Sequence, residues 1–149
     1  MEGDIFFSKF ALISLLMTVM ILDWLFTIIF QPECYWEDHS NPSELNPVGI
    51  MVLRAHPIWF IVLFFFYFLL ILALATRLRR PFNMVVIVTA LGGHAWGSSS
   101  WLHHIYSGHL EVDHWCVSLG YYTVIALIAA VCIANIHASK STAEFFAEE

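Results

Sequence analysis

Seven of the eight histidines in this chain, His39, His56, His94, His103, His104, His109 and His114, fall toward one side of its long apolar runs, and only His137 lies apart. Asp23 is the one acid inside the first apolar run, and His94 sits near the middle of the third. Ionisable groups at that depth are expensive in hydrocarbon and normally face a bundle interior or water. On a helix, Ser98 lies at i+4 from His94 and Trp101 at i+7. His104 is about 80° off that line and His103 points the opposite way. One stripe, His94, Gly97, Ser98, Trp101 and His104, can therefore face inward, with Gly92, Gly93 and Gly97 admitting a close neighbour. Asp23 with Thr27 at i+4 makes a matching polar stripe.

Three chemistries compete for this cluster. In the first, His94, His104, His109 and His114, with Asp113 or Asp23, bind a transition metal. Imidazole suits Cu or Zn and a carboxylate orients the ring, although the spacing matches no compact ligand motif. In the second, Asp23 and His94 form a buried, proton-active polar pair, because histidine changes charge near neutrality. In the third, Asp23, His94 and the serines are interhelical hydrogen-bond partners and the loop histidines are interfacial residues. A bis-histidine haem site needs two inward histidines at equal depth on different helices, and no such pair stands out. Cys34 and Cys116 share a side, where a disulfide can join the two loops; two free thiols are the alternative. Cys132 reads as packing.

These residues need elements to position them, and the composition says which. Of 149 residues 60% are hydrophobic and 12% charged, against about a quarter charged in a soluble domain. Four runs of roughly 20 residues, 7–30, 57–76, 84–105 and 115–136, are each long enough to cross a bilayer and must then be helices, because lipid offers the backbone no partners. The expected fold is an all-α, polytopic membrane protein, a four-transmembrane-helix bundle forming one domain. The first run is too long for a signal-peptide core and no small-residue cleavage site follows it. A net charge of -6 argues against a nucleic-acid partner, which needs a basic face, and against a polybasic lipid-binding segment.

Basic residues set the orientation. Arg77, Arg79 and Arg80 lie between runs two and three, Lys9 near the start and Lys140 after run four, leaving only Arg54 opposite. Both termini should be cytoplasmic, in a multi-pass protein of the cytoplasmic (plasma) membrane. The first outer loop then holds Glu33, Glu37, Asp38 and Glu44, and its end reads as a helix with Ser43 able to cap and Pro47 in the first turn. The six tryptophans gather toward the outer side, as an interfacial belt, with Trp96 and Trp101 best placed to pack inside. The Phe64–Phe68 stretch reads as apolar on every face, suiting lipid or another subunit.

Asp23-x-x-x-Thr27 late in the first span, with Glu44-Leu45-Asn46-Pro47 just before the second, resembles a widespread group of small prokaryotic, often archaeal, multi-span membrane proteins classed as a domain of unknown function. Those proteins share an Asp and a Thr in the first span and a Glu-x-Asn-Pro before the second. The likeness covers the first half of the chain. This chain departs from the group in its longer acidic loop and His-rich third span. The resemblance implies a membrane fold and a structural role for Asp23, Glu44 and Asn46, and no activity.

No nucleophile constellation, phosphate loop or redox dithiol motif is present. The leading functional expectation is a small accessory or structural subunit of a larger membrane complex, with lipid and other membrane subunits as partners. The alternative is a stand-alone protein with a metal (Cu or Zn) or proton-active site at the outer end of the bundle.

Overall fold

The structure, a computed structural model, describes the backbone of residues 2–106 and 114–147 and the side chains of residues 9–102 and 116–136. Among these residues the chain is all-α with no strand. Its helices are α1 (Glu2–Ile29), α2 (Glu33–Glu37), α3 (Pro47–Ala55), α4 (Pro57–Arg77), α5 (Phe82–Tyr106) and α6 (His114–Ala147). Within them Lys9–Ile29, Pro57–Arg77 and Cys116–Ile136 are long and apolar enough to cross a membrane. At 25 residues α5 has the length. Its second half, rich in Gly, Ser, His and Trp, breaks the apolar run.

Helix α1 is the axis of the bundle, packed against α4, α5 and α6. Its buried residues, Leu12, Leu16, Val19, Met20 and Thr27, recur at intervals of three and four, which places them on one face. Asp23 completes the same stripe. Helix α5 answers with Ile87, Leu91, Ala95 and Ser98, and α6 with Ile125, Ala129 and Ile136. Small residues at these contacts let backbones approach, the packing mode that works where lipid removes the hydrophobic drive between helices. The remaining faces are apolar and open. On α4 they carry Phe65, Phe66, Leu69 and Leu70, and on α6 Val124, Leu127 and Val131, surfaces compatible with lipid contact.

The connection between α1 and α4 folds into a cap over one end of the bundle. Gln31 is buried. Its Nε2 donates to the carbonyls of Thr27 (2.8 Å) and Ser43 (3.2 Å), and its Oε1 accepts from the Ser43 amide (2.8 Å). The helix after it does not start where the sequence suggested. Ser43 is occupied by Gln31, and Asn46 is the cap of α3, accepting from the amides of Val48 and Gly49 with Pro47 in the first turn. Helices α3 and α4 are separate, and His56 between them accepts from the Ile58 amide through Nδ1 at 3.1 Å. The short α2, absent from the sequence reading, exists to bury Tyr35, whose hydroxyl donates to the Leu53 carbonyl at 3.1 Å. The tail is a straight continuation of α6 to Ala147.

Cys34 and Cys116 are free thiols and both exposed. Cys34 rides on α2 and Cys116 opens α6, and these helices share no Cα approach within 8 Å. That exceeds the reach of a disulfide, about 7 Å. The expected bridge is therefore absent, because the cap leans on α3 and α4 and not on α6.

Burial pushes the Tyr35 phenol above its ordinary value, since a phenolate would lose its hydration. The folded protein thus holds this proton more tightly than the unfolded chain does. The stability contributed by the neutral phenol is complete below the unfolded value of about 10 and is lost as pH rises beyond it. A thermal-unfolding series across that range should show alkaline loosening of the cap in the native protein. Tyr35→Phe should lower stability at neutral pH by about 1 kcal/mol and flatten the alkaline loss. An unchanged alkaline transition in the variant would assign it to another group.

Candidate functional site

Asp23 and His94 meet. His94 Nδ1 lies 2.8 Å from Asp23 Oδ2, with the side chains 18% and 19% exposed. The contact needs one hydrogen between the two atoms, and Nε2 is the other end of the ring. Nε2 faces the Tyr67 hydroxyl at 3.4 Å, with the two rings 5.6 Å apart. The order α1 carboxylate, α5 imidazole, α4 phenol is a chain of three proton-carrying groups on three helices.

The local sequence explains why these groups can meet. Gly97, one turn from His94, faces Asp23 directly. A Cβ built there would stand 2.8 Å from Asp23 Cγ and Oδ2, closer than real Cβ contacts allow, so only glycine leaves room for the carboxylate. Of the three glycines expected to admit a neighbour, Gly97 does so. Gly92 has only an ordinary 3.6 Å approach to the Tyr122 hydroxyl, and Gly93 faces open space. The backbone around the pair is tied down. Thr27 Oγ1 donates to the Asp23 carbonyl (2.9 Å) and accepts from Trp101 Nε1 (3.0 Å), joining α1 to α5. Ser98 Oγ donates to the His94 carbonyl (2.7 Å) and lies 3.0 Å from the Tyr121 hydroxyl of α6.

The pair opens into a cleft of about 1360 Å³ between α1, α4 and α5, closed at one end by the start of α3. The Glu44-x-Asn46-Pro47 segment forms that closure. Glu44 Oε1 accepts from the amides of Leu45 and Asn46, both at 2.8 Å. Gly49 leaves space for the Glu44 stem, since a Cβ there would lie 2.9 Å from its Cγ. Asp23, Thr27, Glu44 and Asn46, far apart in sequence, all line this one cleft.

The inward stripe expected on α5 is present for His94, Gly97, Ser98 and Trp101. The side chains of His104 and His114, and the whole of His109 and Asp113, lie outside the described residues. Among the described residues no group of three or more His, Cys, Asp or Glu converges on a metal position. The described part of the expected Cu or Zn set is Asp23 and His94. His39 and His56 lie against one another in the cap, tilted, with ring centroids 5.3 Å apart. Trp96, expected to pack inside, is 63% exposed at the rim.

Sequence reasoning missed Tyr67 because it sits in a run of Phe and Leu; the signal was the one hydroxyl in that run. It also missed Gln31, whose buried amide holds the cap. Comparison with family models, curated proteins and solved structures finds no match. The chemistry is therefore read from the geometry alone.

Gly97→Ala and Gly93→Ala separate the close approach from helix propensity, since both remove a glycine from the same helix. Ala is favoured by about 1 kcal/mol in a helix interior, so Gly93→Ala should melt at or above the native temperature. Gly97→Ala should lose roughly 1–3 kcal/mol through overpacking and displace Asp23 from His94. Equal melting temperatures for the two variants would show that the helices are not in contact at Gly97.

Proposed function

We propose that the chain is a four-span membrane protein with α5 as its fourth span and both termini in the cytoplasm, working as a proton-linked carrier. The observation that carries this reading is the partly open Asp23–His94 pair, with Nε2 of the ring turned into the cleft toward Tyr67. The pair joins an acid to a base, leaves each about a fifth exposed and sets both at the cleft between α1, α4 and α5. Hydrolytic chemistry fits less well. The hydroxyls of Thr27, Ser98 and Ser100 donate to backbone carbonyls of their own helices, so none is presented to His94 as a nucleophile. The accessory-subunit reading rests on the near absence of soluble mass, and the broad apolar face of α4 that a partner could cover suits lipid equally well.

Dicyclohexylcarbodiimide, an apolar reagent that modifies carboxyls taking up protons within a membrane, tests the site without knowledge of any substrate. Mass spectrometry of the treated protein in liposomes should locate the adduct on Asp23, with labelling that falls as pH rises. Asp23 unlabelled at every pH would overturn the reading. Topology is tested separately: a cytoplasm-active reporter fused after Arg80 or Glu149 should be active, and after His39 or His109 silent. The reverse pattern would mean the arginine asymmetry misleads.

A further inference from the structure

We infer that the cleft takes a lipophilic organic cation, an amine or quaternary ammonium bearing an apolar group, in exchange for one proton from the Asp23–His94 pair. This deepens the carrier reading and rests on it. Charge is the first argument. Among the described residues Asp23 and Glu44 line the cleft and no Lys or Arg does. Arg54, the basic residue of the cap, is committed elsewhere through Nε to the Ser40 carbonyl at 2.9 Å. A site in apolar surroundings with two carboxylates and no fixed cation attracts positive charge.

The walls are the second argument. Phe60, Phe64, Tyr67 and Trp24 bound the cleft together with Trp96 and Trp101. Trp24 and Phe64 stack at 5.1 Å, nearly parallel, joining α1 to α4 along this wall. Aromatic faces bind quaternary ammonium groups through the ring quadrupole, whereas a small metal ion prefers a closed set of oxygen or imidazole donors. The apolar part of the ligand lies along Ile71, Leu74 and Val85, where the cleft continues between α4 and α5.

Exchange follows from proximity. The groups facing the pair are Tyr67 from α4 and, through Ser98, Tyr121 from α6, with Glu44 at the α3 end of the cleft. In the proton-loaded pair His94 carries a hydrogen on both ring nitrogens and is the counter-charge of Asp23. A cation beside Asp23 takes over that role, the Nε2 hydrogen leaves as a proton to water, and Nδ1 keeps its hydrogen directed at the carboxylate. The charge in the cleft is unchanged and no covalent bond is made or broken.

Benzyltrimethylammonium, its neutral carbon isostere neopentylbenzene and the anion phenylmethanesulfonate test the class, using the full chain in phosphatidylcholine nanodiscs. The cation should change Trp emission saturably, bind about ten-fold or more tightly than either comparator, and protect Asp23 from the carbodiimide. Binding should release a proton, seen with a pH dye in weak buffer. Asp23→Asn should lose at least about ten-fold in affinity. Glu44→Gln keeps its Oε1 acceptor for Leu45 and Asn46 and so should fold, while weakening the cation by about two- to three-fold. Equal binding of the neutral isostere would overturn the inference in favour of an apolar crevice. Carbodiimide labelling of Asp23 without saturable cation binding would overturn the ligand class alone. No labelling at all would overturn the proton site beneath it.

Discussion

An acid and an imidazole placed among apolar helices must compensate one another, and the arrangement of this chain follows from that constraint. Unpaired, either group would be left poorly solvated in a medium that offers no partner. Paired at 2.8 Å, they fix the distance and rotation between α1 and α5. That closeness is available only because Gly97 presents no side chain to Asp23. The rest of the interface continues the same register. Thr27 meets Trp101 one turn further along, and Leu16, Met20 and Ile87 fill the opposite direction. Helix α6 braces α5 from behind through Tyr121 and Ser98 and through Ser118 and the Ser99 carbonyl.

Helix α4 stands differently. Few of its residues are buried, Ile71 and Ala75 being the buried ones, and it touches α1 and α5 on one side only. The gap it leaves is the cleft. A fourth helix packed as closely as the other three would have sealed Asp23 and His94 and reduced them to a structural bond. The cap then limits how far α4 can move. It joins the end of α1 through Gln31 to the start of α3, and α3 abuts α4 at His56. The cap thus ties the end of the cleft near α3 to both α1 and α4.

Much of this was legible from residue type and spacing. Periodicity identified the Asp23 and His94 stripes, and the cost of burying ionisable groups joined them across helices before any geometry was known. The Asn46-Pro47 start of α3 was also readable, although the cap was assigned to Ser43. Both residues can cap, and the sequence does not reveal that Gln31 claims Ser43. The disulfide failed for a related reason: two cysteines on one side of a membrane share a side and not a position, and which helices carry the cap is decided by tertiary contacts such as Tyr35 to Leu53. Tyr67 was invisible because periodicity weighs hydrophobicity, and a tyrosine in a phenylalanine run differs from its neighbours by one oxygen.

That oxygen decides the polarity of the site. Phenylalanine at position 67 would leave His94 Nε2 facing only aromatic carbon, and the pair would end at the imidazole. With the hydroxyl present, the line of polar groups passes from Asp23 through the ring to the wall of the cleft. The aromatic walls and the carboxylates at its floor and its closed end then act on the same occupant from two sides. The first favours a polarising apolar body, the second a positive charge. Neither metal coordination nor lipid packing uses both, whereas a cation carrying an apolar group does.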